Sequence, residues 1–162
     1  LYEVDMGTPM SFIIDEIGGG FNDTIKAIQI GGPLGGVVPV DILRTLTLDF
    51  EVFSEGGFLL GHASFVCIPQ SFSAVEYAKH LFAFTAHESC GKCFPCRLGA
   101  TRGKEMLESA LEKDQKFSEE LINDLLETME VGSLCALGGG LPLAIKNLLE
   151  HCADEFEPLM EK

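Results

Sequence analysis

The sequence predicts an α+β chain in two parts: a small helix-and-strand domain over residues 1–70, then a helical, metal-binding domain over 71–162. Three observations carry this. Strand-like and helix-like periodicities alternate at short intervals as far as Ile68. From Ser73 onward the apolar residues recur at helical spacing. Between the first two of those helices lies Glu88-Ser89-Cys90-Gly91-Lys92-Cys93-Phe94-Pro95-Cys96-Arg97, with three cysteines each separated from the next by two residues.

In chain order, Leu1–Met6 alternates, with Tyr2, Val4 and Met6 on one side, as a half-buried strand would. Thr8-Pro9 opens a helix as N-cap and first residue. Met10, Ile13, Ile14 and Ile17 make its apolar face, and Gly18-Gly19-Gly20 ends it. Ile25–Ile30 reads as a second strand, and short strands follow near Thr47–Phe50 and Ser64–Ile68. The Gly31–Gly36 loop is neither a dinucleotide fingerprint nor a P-loop. It reads as a turn that lets the backbone pass close to a neighbouring domain.

Ser73 and Glu76 form a capping box, and Phe72 with Tyr77 forms a hydrophobic staple, so a helix starts there. A second helix is expected from Arg97 to about Lys113, with Gly99 and Gly103, one turn apart, letting another backbone approach closely. Ser118 starts a third, striped with Leu121, Ile122, Leu125, Leu126 and Met129 and stopped by Gly132. Pro142 is expected to start the last, with Leu141, Ile145, Leu148, Leu149, Cys152 and Phe156 on one side. Four helices with apolar faces predict a bundle.

A C-x₂-C-x₂-C run turns three thiolates back toward one small centre, and bacterial ferredoxins hold iron–sulfur clusters with this spacing. Gly132-Ser133-Leu134-Cys135-Ala136-Leu137-Gly138 offers a fourth thiolate. We therefore read Cys90, Cys93, Cys96 and Cys135 as ligands of one [4Fe–4S] cluster. The rival is structural zinc, which also accepts four cysteines but usually takes two separated C-x₂-C hooks. A redox dithiol would leave the third in-register cysteine unused. Cys67 and Cys152 read as buried core residues. His87 reads as a surface or supporting residue, and Glu88 and Ser89 as groups that orient the loop.

The net charge of −14 argues against a nucleic-acid partner. From Ser89 to Lys104 there are cations (Lys92, Arg97, Arg102, Lys104) and no Asp or Glu, which suits an anionic cluster. No window has the apolar length of a membrane helix, so direct membrane insertion is not expected. The cysteine pattern is metal-like rather than that of a disulfide scaffold, which implies a reducing, cytoplasmic setting. No nucleophile–base pair or carboxylate pair stands out.

ESCGKC-x-PCR, followed by SLC-x-LG, Pro142 and Glu155-Phe156, resembles the C-terminal part of the NADH-oxidising flavoprotein subunit of respiratory complex I. The same module occurs in NAD(P)-linked formate dehydrogenases and NAD(P)-reducing hydrogenases. Gly31–Gly36, Gly56-Gly57 and Gly61 fit as well. Complex I subunits usually carry Thr and Glu where this chain has Phe94 and Leu98, which points toward a formate dehydrogenase or hydrogenase relative. The resemblance implies that residues 1–70 form a ubiquitin-like β-grasp domain of the soluble-ligand-binding type. It implies FMN and NAD(P)H on a flavin domain absent here, and so a piece of a longer protein. The implied role is electron transfer from FMN through the cluster. The implied partners are a thioredoxin-like [2Fe–2S] subunit and a larger iron–sulfur subunit, on the cytoplasmic face of the inner membrane where such a complex is membrane-bound. The other function class is a protein-interaction module with a purely structural metal.

Overall fold

A computed structural model describes residues 1–161, so Lys162 lies outside the described residues. The chain is α+β, and it divides into a unit from Leu1 to Ser71 and a second from Phe72 onward.

In the first unit, β1 (Ile25–Ile30) is the centre of an antiparallel sheet of order β2-β1-β3, with β2 at Val37–Pro39 and β3 at Phe65–Pro69. Its short helices are α1 (Met10–Phe12), α2 (Val40–Leu43) and α3 (Phe50–Glu55). Ile28 and Ile30 face a core with Met10, Ile14, Val38 and Phe53, all buried. Each such side chain contributes about 1.5–3 kcal/mol of transfer free energy. The β1–β2 connection is the Gly31–Gly36 loop. A Cβ on Gly31 would lie 2.9 Å from the Leu60 carbonyl oxygen, and one on Gly36 would lie 2.9 Å from the Leu59 nitrogen. The glycines thus let the hairpin pass against segment 58–61 of its own unit. Buried Gln29 donates from Nε2 to the Pro33 carbonyl at 2.9 Å and fastens the loop.

Four expectations for this unit are corrected. Leu1–Met6 is not a strand, and Tyr2 and Met6 are exposed. Alternation makes a strand only where a neighbour takes its hydrogen bonds, and among the described residues none pairs with it. Thr47–Phe50 is not a strand either. Thr47 makes one isolated bridge to Pro9, and Asp49 then caps a helix at Phe50–Glu55, accepting from the N–H groups of Glu51 (2.9 Å) and Val52 (3.3 Å). The first helix is α-helical only over Met10–Phe12. It widens to a π-turn over Ile13–Ile17, where the Gly18 N–H reaches the Ile13 carbonyl at 2.9 Å. Cys67 is exposed, not core. β3 is an edge strand, and its middle residues Val66 and Cys67 are left to solvent.

The second unit is built on four long helices: α4 (Ala74–Glu88), α5 (Phe94–Lys113), α6 (Glu119–Gly132) and α7 (Ala136–His151). Ser73 caps α4 by accepting from the Glu76 N–H, and the Phe72 and Tyr77 rings meet edge-on at 6.3 Å. Ser118 caps α6 through the Leu121 N–H at 3.2 Å. Gly99 and Gly103 on α5 admit side chains, not backbone: Met129 occupies the space a Cβ on Gly99 would take, and the Phe82 ring fills that at Gly103. Buried Leu81, Leu107, Ile122, Leu126, Leu141 and Ile145 are the core between the helices.

Two helix starts differ from expectation. α5 begins at Phe94, with Cys93 as N-cap, because Pro95 fits the first turn where its missing N–H costs nothing. α7 begins at Ala136, with Cys135 as N-cap, and Pro142 sits inside it. The Gly139 N–H reaches the Cys135 carbonyl at 3.1 Å, so the helix is already running before the proline. α7 ends at Cys152, which is buried, and Ala153–Phe156 forms a separate short helix.

Candidate metal centre

Two inter-helix connections hold the four cysteines of the motif. The α4–α5 connection holds Cys90 in the loop, Cys93 at the N-cap and Cys96 in the first turn of α5. The α6–α7 connection holds Cys135 at the N-cap of α7. Cys93 and Cys135 thus stand at helix N-caps and Cys96 in a first turn, where backbone N–H groups and the helix dipole favour negative charge.

Gly91 takes φ of +77°, a left-handed conformation that turns the loop between Cys90 and Cys93. Ser89 closes the turn by accepting the Gly91 N–H at 3.3 Å, and its Oγ lies 3.4 Å from the Cys96 sulfur. Arg97 donates from a guanidinium nitrogen to the Gly91 carbonyl at 3.3 Å and stacks over Phe94 at 4.9 Å. Of the expected cations, Arg97 therefore braces the loop itself. Arg102 and Lys104 pair along α5 with Glu105 (3.1 Å) and Glu108 (3.4 Å).

The two connections meet. The Leu134 N–H lies beside the Cys93 sulfur and, with the Cys96 N–H, holds that thiol below its ordinary range against a desolvation that opposes it. Gly138, in the first turn of α7, packs on Cys96: a Cβ there would lie 2.6 Å from the Cys96 Cβ and 3.0 Å from its sulfur. The same point is 2.5 Å from the Ser133 Oγ. A Cβ on Gly132 would lie 2.8 Å from the Pro95 ring. Cys93, Cys96 and the Ser133–Gly138 turn are therefore neighbours, with Cys96 buried and Cys90 and Cys135 exposed. Among the described residues no three His, Cys, Asp or Glu side chains stand at the spacing of a single metal ion. A four-iron cluster bonds each thiolate to a different iron, so its ligands need not converge on one point.

The comparisons with known proteins bear on this corner of the molecule. The family model for the NADH-ubiquinone oxidoreductase-F iron-sulfur binding region matches residues 76–159, just over half the chain and all four of these cysteines. The chain belongs to that family. Its relatives include the NADP-reducing hydrogenase subunit HndC of Solidesulfovibrio fructosivorans, 33% identical over 97% of this chain and 32% of the relative. The mitochondrial NADH-ubiquinone oxidoreductase 51 kDa subunit of Neurospora crassa is 31% identical over 99% of this chain and 33% of its own length. An NADH-quinone oxidoreductase subunit of Rickettsia bellii is 32% identical over 96% of this chain and 38% of its own. The chain thus spans about a third of the curated relatives it matches. A crystal structure of an NAD⁺-reducing [NiFe]-hydrogenase in the H₂-reduced state superposes with a TM-score of 0.82 over 99% of this chain and 27% of that one. At 24% identity, that likeness speaks to the fold.

The residues fit the group that the family's description names. The thiols held by these two connections are soft donors of the kind an iron–sulfur centre takes. Gly138 leaves a cradle against Cys96 that any side chain would fill. The Ser133 hydroxyl is buried there without a hydrogen-bond partner. Ser133 and Gly138 are what sequence reasoning missed. Their signal was position, two residues before and three after Cys135, but nothing in spacing shows that they face Cys96. His87 is exposed, and its Nε2 lies 4.0 Å from the Glu88 carboxylate.

Proposed function

We propose that this chain is the iron–sulfur part of an NAD(P)H-linked oxidoreductase subunit, with Cys90, Cys93, Cys96 and Cys135 as ligands of one [4Fe–4S] cluster. The observation that carries the reading is the meeting of the α4–α5 and α6–α7 connections at Cys93, Cys96 and Gly138. A cluster held by these residues would supply one-electron chemistry between a reduced flavin and the next carrier. Cys93 and Cys135 present thiolates at helix N-termini, Gly91 sets the loop's path, and Arg97 braces it with a positive charge. In the full-length protein the flavin is FMN, reduced by NADH or NADPH on a domain other than these two.

In this reading the first unit is a β-grasp domain and the second a four-helix bundle. The partners are other redox subunits, of the thioredoxin-like [2Fe–2S] and larger iron–sulfur kinds, in the cytoplasm. Phe94, Leu98 and Leu134 support this: they are 67%, 58% and 74% exposed beside the cysteine loops, as side chains covered by another subunit would be. A groove of about 330 Å³ runs between Leu98 and Leu125 on that surface. No helix among the described residues is long and apolar enough to cross a membrane.

A redox titration of cluster-loaded protein, followed by electron paramagnetic resonance, tests the function. A one-electron couple within the range of pyridine nucleotides is the expected result. A cluster that stays redox-silent across that range would assign the metal a structural role and the chain to protein interaction.

A further inference from the structure

The Cys96 sulfur is the most enclosed of the four thiols, at the 4% exposure of its residue, and two serine hydroxyls flank it. Ser89 Oγ stands 3.4 Å from it. That oxygen already accepts the Gly91 N–H, so its own hydrogen is free to donate. Ser133 Oγ is buried without a hydrogen-bond partner, and it lies across the Gly138 cradle from the same sulfur. A buried hydroxyl with no partner has given up its hydrogen bonds to water and gained none in return. Its O–H therefore has reason to find an acceptor, and a metal-bound thiolate is one.

We propose that Ser89 and Ser133 donate hydrogen bonds to the Cys96 thiolate and raise the reduction potential of the centre. This rests on the cluster reading above. The physical reason is charge. Reduction adds an electron to an assembly that is already anionic, and O–H donors aimed at a ligand sulfur favour the more negative state. Both serines are positioning residues, since they act through Cys96. Gly138 is part of the device, because a side chain there would separate Ser133 from the sulfur.

The test compares cluster-loaded parent protein with Ser89→Ala, Ser133→Ala and Ser133→Thr by iron analysis and redox titration. Each alanine variant should keep its iron and its visible spectrum. At fixed potential it should show a lower reduced-to-oxidised ratio, by up to about tenfold, or ~59 mV toward negative for a one-electron couple. Ser133→Thr keeps the hydroxyl and should titrate with the parent. Iron-loaded alanine variants with the parent's potential would overturn the proposal. So would loss of iron in Ser133→Ala, since a hydroxyl that only tunes the potential is not needed to hold metal. A parent protein that takes up no iron would instead overturn the cluster reading itself.

Discussion

At the scale of single residues, the six cysteines fall into two classes with different consequences. Replacing Cys90, Cys93, Cys96 or Cys135 by Ala should abolish or badly damage iron uptake, read from iron content and the visible spectrum. Cys152 is buried, so Cys152→Ala should keep the iron at a cost of about 1 kcal/mol in denaturant unfolding. Cys67→Ala should keep the iron and cost within about 0.5 kcal/mol, because Cys67 is exposed. Bleaching by Cys152→Ala with Cys135→Ala unaffected would reverse the ligand assignment. The proposed ligand set rests on the spacing of the C-x₂-C-x₂-C run, a local pattern that is visible in the sequence itself. Cys67 was not legible, because Phe65-Val66-Cys67-Ile68 reads as core until β3 is known to be an edge strand. Ser133 was invisible for a related reason: whether a hydroxyl has a partner depends on what the fold brings beside it.

At the scale of elements, caps decide where the helices start. The Ser73 and Ser118 caps were legible because each bond spans only three residues, whereas the Glu76 carboxylate pairs with Lys79 at 2.6 Å rather than closing a capping box. Glu155 was legible only as part of a resemblance. Its carboxylate accepts the Ala74 N–H at 2.7 Å, so a residue near the chain's end completes the N-terminus of α4, while the Phe156 that follows is fully buried. Glu155→Ala should lower stability by about 1–2 kcal/mol in denaturant unfolding and leave the iron content unchanged. Asp49 works similarly for the short helix at Phe50–Glu55. The Val52 N–H, then Glu51, hold its carboxyl below the ordinary range. A carboxyl depressed on folding adds stability above its unfolded value and loses it as pH falls through the folded one. Amide signals of Glu51 and Val52 should therefore shift below about pH 4, not above it. Shifts centred above pH 5 would contradict the cap. The misread elements, Leu1–Met6, Thr47–Phe50 and the start of α7, all depended on competition. A strand pattern lost where no strand paired with it, and a proline start lost to a cysteine cap seven residues earlier.

At the scale of the whole chain, the α+β class was legible from alternating periodicities, whereas the order β2-β1-β3 was not, because pairing joins residues far apart in sequence. Each unit has its own core, and only the second carries the four cysteines. Ligation would tie the Cys90–Cys96 loop to the Cys135 turn across α5 and α6, so binding free energy becomes folding free energy there. In cluster-free protein, amide exchange should quicken around 90–96 and 133–138 and stay slow in β1. Equal protection in both regions would mean the helical core holds itself together. Steady-state assays should find no NADH oxidation by this chain alone, because hydride chemistry belongs to a flavin. Tight stoichiometric FMN binding would contradict that and reopen the Gly31–Gly36 loop as a site. The central claim is the cluster, and the most direct measurement is iron, zinc and acid-labile sulfide per chain in protein purified without oxygen. The account predicts about four irons and four sulfides with no zinc. One zinc with no iron and no sulfide would contradict it.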